Sequence, residues 1–191
     1  MAKKANVRKI VVTGALGALS IALFLTPFGY IPWLAGASLT VMHVPAIIGA
    51  VLEGPVVGTV VGGIFGVTAL IKAATAPQGP IDPFFVNPLI SVLPRLLVGL
   101  AAWAVYKAFR GRLAALAAAV AGIAGSLTNS LLVLASLVLF GAIPPAVAGA
   151  VLVANGPIEA ALAAVLTLGV VASWKGIESR SGKARLAEED K

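Results

Sequence analysis

The sequence has no cysteine, a single histidine, and charge on only 11% of its 191 residues. Without cysteine there is no disulfide framework and no thiolate ligand. One histidine is too few for a Cys/His metal site, so neither a metal nor another cofactor is expected. No charged residue occurs between Lys9 and Glu53, and none between Arg112 and Glu159. Each run exceeds the roughly 20 residues that carry one helix across a bilayer, so each must hold about two crossings, or a crossing and a loop. No G-x-x-x-x-G-K-[ST] loop occurs, so ATP hydrolysis is not expected of this chain. An intramembrane hydrolase with Ser126 as nucleophile and His43 as base finds little support. The surrounding AGSLTN lacks a nucleophile elbow and an orienting third group. No small-residue cleavage site follows the first apolar run at signal-peptide distance, and the first span is expected to be retained.

What is present is apolar. Hydrophobic residues make up 60% of the chain and the mean hydropathy is +1.04, well outside the range of aqueous globular domains. The net charge of +7 suggests nucleic acid only until its placement is considered. Lys3, Lys4, Arg8 and Lys9 precede the first apolar run. Lys107, Arg110 and Arg112 form a short linker, and Lys175, Arg180, Lys183, Arg185 and Lys191 lie near the end. Three basic clusters separated by apolar segments follow the positive-inside rule and not a nucleic-acid footprint.

These runs predict an all-α membrane protein of six transmembrane helices with both termini cytoplasmic. The helices are expected at about 8–27, 39–52, 56–74, 88–108, 113–140 and 146–174. Residues 1–174 form one transmembrane domain, and 175–191 a short polar cytoplasmic tail. FGYIPWLAGAS (28–38) and TAPQGPIDPFF (75–85) read as outer loops, the first with Tyr30 and Trp33 as interfacial aromatics. EGP (53–55) is a tight inner turn, and GAIPP (141–145) an outer one. Gly14, Ala18 and Ala22 recur every fourth residue, as do Gly58, Gly62 and Gly66, which suits close helix approach.

Arg95 is the residue most out of place. A charge on an apolar transmembrane segment costs about 2.5–3.5 kcal/mol on insertion scales, so it faces a polar cavity or a partner. Asn87, Ser91, Arg95 and Gly99 would share a face of the fourth helix, and Gly122, Ser126, Asn129 and Ser136 a face of the fifth. Asn155 and Glu159 stand one turn apart on the sixth. At ~1.5 Å per residue, Arg95, Asn129 and Asn155 lie roughly 10–17 Å below the outer ends of their helices, so residues of three helices converge at similar depth. Other readings stay open here. Arg95 could pair with Glu159, the asparagines could join helices, and Ser91 and Ser126 could bond their own i−4 carbonyls. His43 could be an interfacial residue, and Glu53 could cap a helix. Pro45, Pro94 and Pro157 each lie within two residues of one of these polar groups. Inside a helix they free the carbonyls of Val41, Ile90 and Val153, and freed carbonyls that line cavities recur in solute-binding membrane proteins.

The blocks TVMHVPAIIGAVLEGPVVGTVVGGIFGVTALI (40–71), FVNPLISVLPRLLVGLAAWAVYK (85–107), GSLTNSLLVL (125–134) and NGPIEAAL (155–162) resemble the S components of energy-coupling factor (ECF) transporters. The pattern is nearest the pantothenate-type branch, with folate, niacin, hydroxymethylpyrimidine and riboflavin as alternative substrates. The resemblance implies a six-helix subunit in a bacterial or archaeal plasma membrane that captures a water-soluble vitamin from outside. It also implies association with a transmembrane coupling subunit and two ATPases. The implied substrate site lies in the outer halves of the helices and two outer loops. The candidates there are Arg95, Asn129, Asn155, Asn87, His43, Glu159, Trp33 and Ser91. The small-xxx-small pair that docks on the coupling subunit in this family matches Ala18 and Ala22, with Gly14 continuing the stripe.

Overall fold

The computed structural model describes residues 2–26, 29–32, 38–77, 79–111 and 114–189. In chain order these form α1 (Ala2–Leu25), β1 (Tyr30–Pro32), β2 (Ser38–Thr40), α2 (Val44–Glu53) and α3 (Pro55–Thr75). A 3-10 turn (Asp82–Val86), α4 (Pro88–Ser91), α5 (Leu93–Phe109), α6 (Ala114–Leu139) and α7 (Pro145–Glu189) follow. Five helical segments are long and apolar enough to cross a membrane: Val7–Leu25, Pro55–Thr75, Pro88–Phe109, Ala114–Leu139 and Pro145–Trp174. The chain is therefore a multi-pass membrane protein.

Besides the break at Val92 that divides the expected fourth helix into α4 and α5, three features depart from the expected six plain helices. Tyr30–Pro32 and Ser38–Thr40 form a two-stranded antiparallel ribbon that pairs Tyr30 with Thr40 and Pro32 with Ser38. The expected second helix loses its first turn to this ribbon. What remains, α2, has 10 residues and covers about 15 Å, half the hydrocarbon thickness. The last helix does not stop at Trp174 but runs into the basic segment as far as Glu189.

Burial follows from composition. Val44 to Val51 are all buried, a place open to a helix that is apolar on every side. Accordingly α2 packs on α1, α3, α5, α6 and α7. Its Ala46, Ile47 and Ala50 form the main core with Val57 and Val61 of α3, Val98 and Ala102 of α5, and Ala117, Ala118 and Ala121 of α6. The turn into α3 depends on Gly54, whose φ of 100° and ψ of −179° fall in a region open essentially to glycine alone. Beside that turn, Arg8 of α1 pairs with Glu53 at 2.6 Å and lies 5.8 Å from the Trp174 ring. Glu53 thus fastens α1 to the turn.

The predicted glycine seam is real and close. A Cβ at Gly62 would lie 2.2 Å from the Arg95 carbonyl oxygen, one at Gly66 2.8 Å from that of Ser91, and one at Gly99 2.4 Å from the Gly58 carbonyl carbon. Helices α3 and α5 therefore touch backbone to backbone. The stripe on α1 is different. Gly14, Ala18 and Ala22 are all exposed, and a Cβ at Gly14 would meet nothing within 4 Å. That face of α1 looks away from the bundle.

Candidate substrate-binding site

A cavity of about 270 Å³ lies at the loop end of the bundle, next to the start of α2, and every major helix except α2 contributes to its wall. Phe24, Met42, Phe65, Ala69, Ala73, Phe85, Val133, Leu134, Val151 and Leu152 supply apolar surface. Arg95, Lys72, Asp82, Glu159, Asn129, Asn155, Ser130 and Thr40 supply polar groups. A largely apolar wall with a few convergent polar groups is the usual constitution of a small-molecule site.

The helix break at Val92 explains how Arg95 reaches this wall. Pro94 has no N–H to give to Ile90, and the freed Ile90 carbonyl accepts a hydrogen bond from Arg95 Nη1. The guanidinium lies against two rings, 5.5 Å from the centre of Phe65 and 5.4 Å from that of Phe85. Each such contact contributes about 0.5–2 kcal/mol. The arginine is only 6% exposed and is one of the residues that line the cavity. Lys72, near the end of α3, brings a second cation to the same wall, with its Nζ 5.0 Å from the Phe24 ring.

The opposite wall belongs to α6 and α7. Glu159 Oε1 accepts from the Thr40 backbone N–H at 2.7 Å and the Thr40 hydroxyl at 2.9 Å. Its Oε2 accepts from the Ser130 hydroxyl at 3.0 Å. The carboxylate is thus tied to β2 and α6, and these hydroxyl and amide donors take the place of the Arg95 bridge considered from the sequence. Asn129 and Asn155 are 7% and 6% exposed. Each has a side-chain oxygen with no hydrogen-bond partner among the described residues. A buried unpaired acceptor costs about 1–3 kcal/mol, so both retain unspent hydrogen-bonding capacity at the cavity wall.

Arg95, Asn129, Asn155 and Glu159 therefore meet at one cavity, while three other candidates stand away from it. Asn87 caps α4, its Oδ1 accepting from the Leu89 N–H at 2.9 Å. Ser91 donates to the Asn87 carbonyl at 3.1 Å and packs against Gly66. The expected face Asn87–Ser91–Arg95 required an unbroken helix, and the break at Val92 removes it. His43 is buried at the N-cap of α2, beside but not on the wall. Neither its two ring nitrogens nor the Ser126 hydroxyl has a hydrogen-bond partner among the described residues. Trp33 lies outside the described residues. Of the three prolines, only Pro157 is inside a helix; Pro45 and Pro94 sit in first turns, where proline is readily accommodated.

Several wall residues were not among the candidates. Lys72 is the sole charged residue between Glu53 and Asp82, which was the available signal. A lone lysine at a helix end, however, ordinarily snorkels to the interface. Thr40, Ser130 and the three phenylalanines carry no local pattern that separates them from ordinary packing residues.

The family model for the substrate-specific component of ECF transporters matches residues 8–171. A pantothenic acid transporter, PanT, of Lactococcus lactis subsp. cremoris is 29% identical over 188 residues, which cover 88% of this chain and 94% of the relative. A pantothenate transporter, PanT, of Leuconostoc mesenteroides is 34% identical over 95 residues, 48% of this chain and 47% of that protein. The family match spans every helix that builds the cavity. The chain belongs to the substrate-specific components of ECF transporters.

Proposed function

We propose that this chain binds pantothenate in the cavity between Arg95 and Glu159 and delivers it for ATP-driven import. The observation that carries the reading is the pairing of a near full-length relative that is a pantothenic acid transporter with a cavity that offers two cations, two amides and apolar walls. Pantothenate has a carboxylate for a guanidinium or ammonium, an amide and hydroxyls for the asparagines, and a gem-dimethyl group for the apolar wall. The chain is a binding subunit, not an enzyme, and a transmembrane coupling subunit and two ATPases supply the energy.

In this reading the loop end of the bundle faces outward. The second crossing is made by α2 together with the extended residues that precede it. Six crossings then place both termini and the Lys107–Arg112 linker in the cytoplasm, as the positive-inside rule requires. The exposed Gly14–Ala18–Ala22 stripe is the face for the coupling subunit, since small side chains admit close helix approach.

A thermal-unfolding panel of water-soluble vitamins on the purified protein tests the substrate. Pantothenate at 100 times its Kd should stabilise the fold by about 2.7 kcal/mol, while folate, niacin, riboflavin and hydroxymethylpyrimidine should leave the midpoint unchanged. A shift with one of those and not with pantothenate reassigns the substrate. The docking face is tested separately. Ala18→Trp or Ala22→Trp should abolish uptake by the reconstituted transporter and leave pantothenate affinity unchanged. Loss of binding as well would make the stripe part of the internal packing.

A further inference from the structure

A carboxylate has about four lone-pair positions, two on each oxygen. At Glu159, Oε1 receives two donors, Thr40 N–H and Thr40 Oγ1, while Oε2 receives one, Ser130 Oγ. One acceptor position on Oε2 therefore remains among the described residues, on a side chain that lines the cavity. Glu159 is 6% exposed, so water from outside reaches it poorly. The protein donors are neutral, and they fix the carboxylate without cancelling its charge. The cations Arg95 and Lys72 stand on α5 and α3, whereas Glu159 stands on α7 beside Ser130 of α6. Asp82, in the 3-10 turn that packs on α3, also lines the cavity, so the cations meet one carboxylate near their own helices and Glu159 is the carboxylate on the α6–α7 side.

We infer that Glu159 is a specificity-determining residue whose free Oε2 position accepts a hydroxyl of the ligand, orienting it with its carboxylate toward Arg95 and Lys72. The inference rests on the pantothenate reading above and extends it. The ligand class is a hydroxy acid with its anionic and hydroxylated ends apart. A ligand with carboxylates at both ends places one against Glu159 and is rejected by like-charge repulsion. A ligand that has lost the hydroxyl leaves a buried carboxylate position empty, and selectivity is greatest when a buried polar group goes unpaired.

The test is a titration of the full-length protein in detergent with pantothenate and its two monodeoxy analogues, one lacking the primary and one the secondary hydroxyl. Wild-type protein should bind one analogue about 10- to 100-fold more weakly than pantothenate, the range of a hydrogen bond to a charged group. Glu159→Gln, whose amide presents N–H where Oε2 accepts, should weaken pantothenate and erase most of that difference. Thr128→Ala, on the same helix as Ser130 but off the wall and with its hydroxyl donating to the Ala124 carbonyl, should keep the discrimination, which separates loss of the acceptor from general disturbance of α6. The wild-type comparison requires no variant to fold. Equal affinity of wild-type protein for pantothenate and both analogues overturns the inference, as does full discrimination in Glu159→Gln. Failure of wild-type protein to bind pantothenate at all overturns the substrate assignment instead.

Discussion

Arg95→Ala is expected to weaken pantothenate binding by at least about 30-fold, because truncating one partner of a buried charge pair costs about 2–5 kcal/mol or more. The position of the residue makes the loss specific. Its guanidinium is packed against Phe65 and Phe85 and anchored on the Ile90 carbonyl, so in the proposed complex the charge would meet the ligand already oriented, with little rotamer entropy lost on binding. Alanine removes the charge and leaves the aromatic pair and the break at Val92 in place, and the protein should still fold. Arg95→Lys should fall between wild type and alanine, since an ammonium restores the charge but not the planar two-pronged geometry. Calorimetric titration of the three proteins checks this. Equal affinity in wild type and Arg95→Ala would transfer the anion site to Lys72.

Gly62→Ala is expected to damage stability and binding together. The added methyl would sit 2.2 Å from the Arg95 carbonyl oxygen, an atom of backbone and not the movable end of a side chain. Helices α3 and α5 must separate, and overpacking of this kind costs about 1–3 kcal/mol, occasionally more. The displaced atom belongs to the residue proposed to hold the anion, so pantothenate affinity should fall even in the molecules that remain folded. Gly14→Ala is the matched comparison, because the same methyl on α1 enters open space and should leave the unfolding midpoint near that of wild type. Thermal unfolding of both variants, with and without pantothenate, measures the contrast. A neutral Gly62→Ala would mean that the seam between α3 and α5 yields without cost.

These two expectations show where the sequence was informative. A membrane-embedded arginine, a proline that strips a carbonyl of its donor, and glycines repeating every fourth residue each have a local physical meaning. Arg95, Ile90 and Gly62 stand in that relation in the fold. The convergence of Arg95, Asn129, Asn155 and Glu159 was legible because helix rise converts sequence position into depth. What could not be read depends on distant partners. Thr40 meets Glu159 across 119 positions of sequence, and no periodicity in either segment announces it. The ribbon that shortens α2 is held by pairing between strands, not by a helix-breaking residue inside 39–43. Asn87 and Ser91 matched a helical face by spacing, but spacing presumes a continuous helix, and Pro94 ends that continuity at Val92. His43 was a candidate through its place two residues before Pro45 and in the block that resembles the family. It occupies the N-cap position of α2 without a side-chain capping bond, next in sequence to Met42 of the wall.

The most direct measurement is an equilibrium titration of the purified wild-type protein, free of co-purified ligand, with labelled pantothenate. Saturable binding to a single site, competed by unlabelled pantothenate and not by other water-soluble vitamins, is the predicted result. Absence of saturable pantothenate binding by folded protein, or equal competition by an unrelated vitamin, would contradict the account.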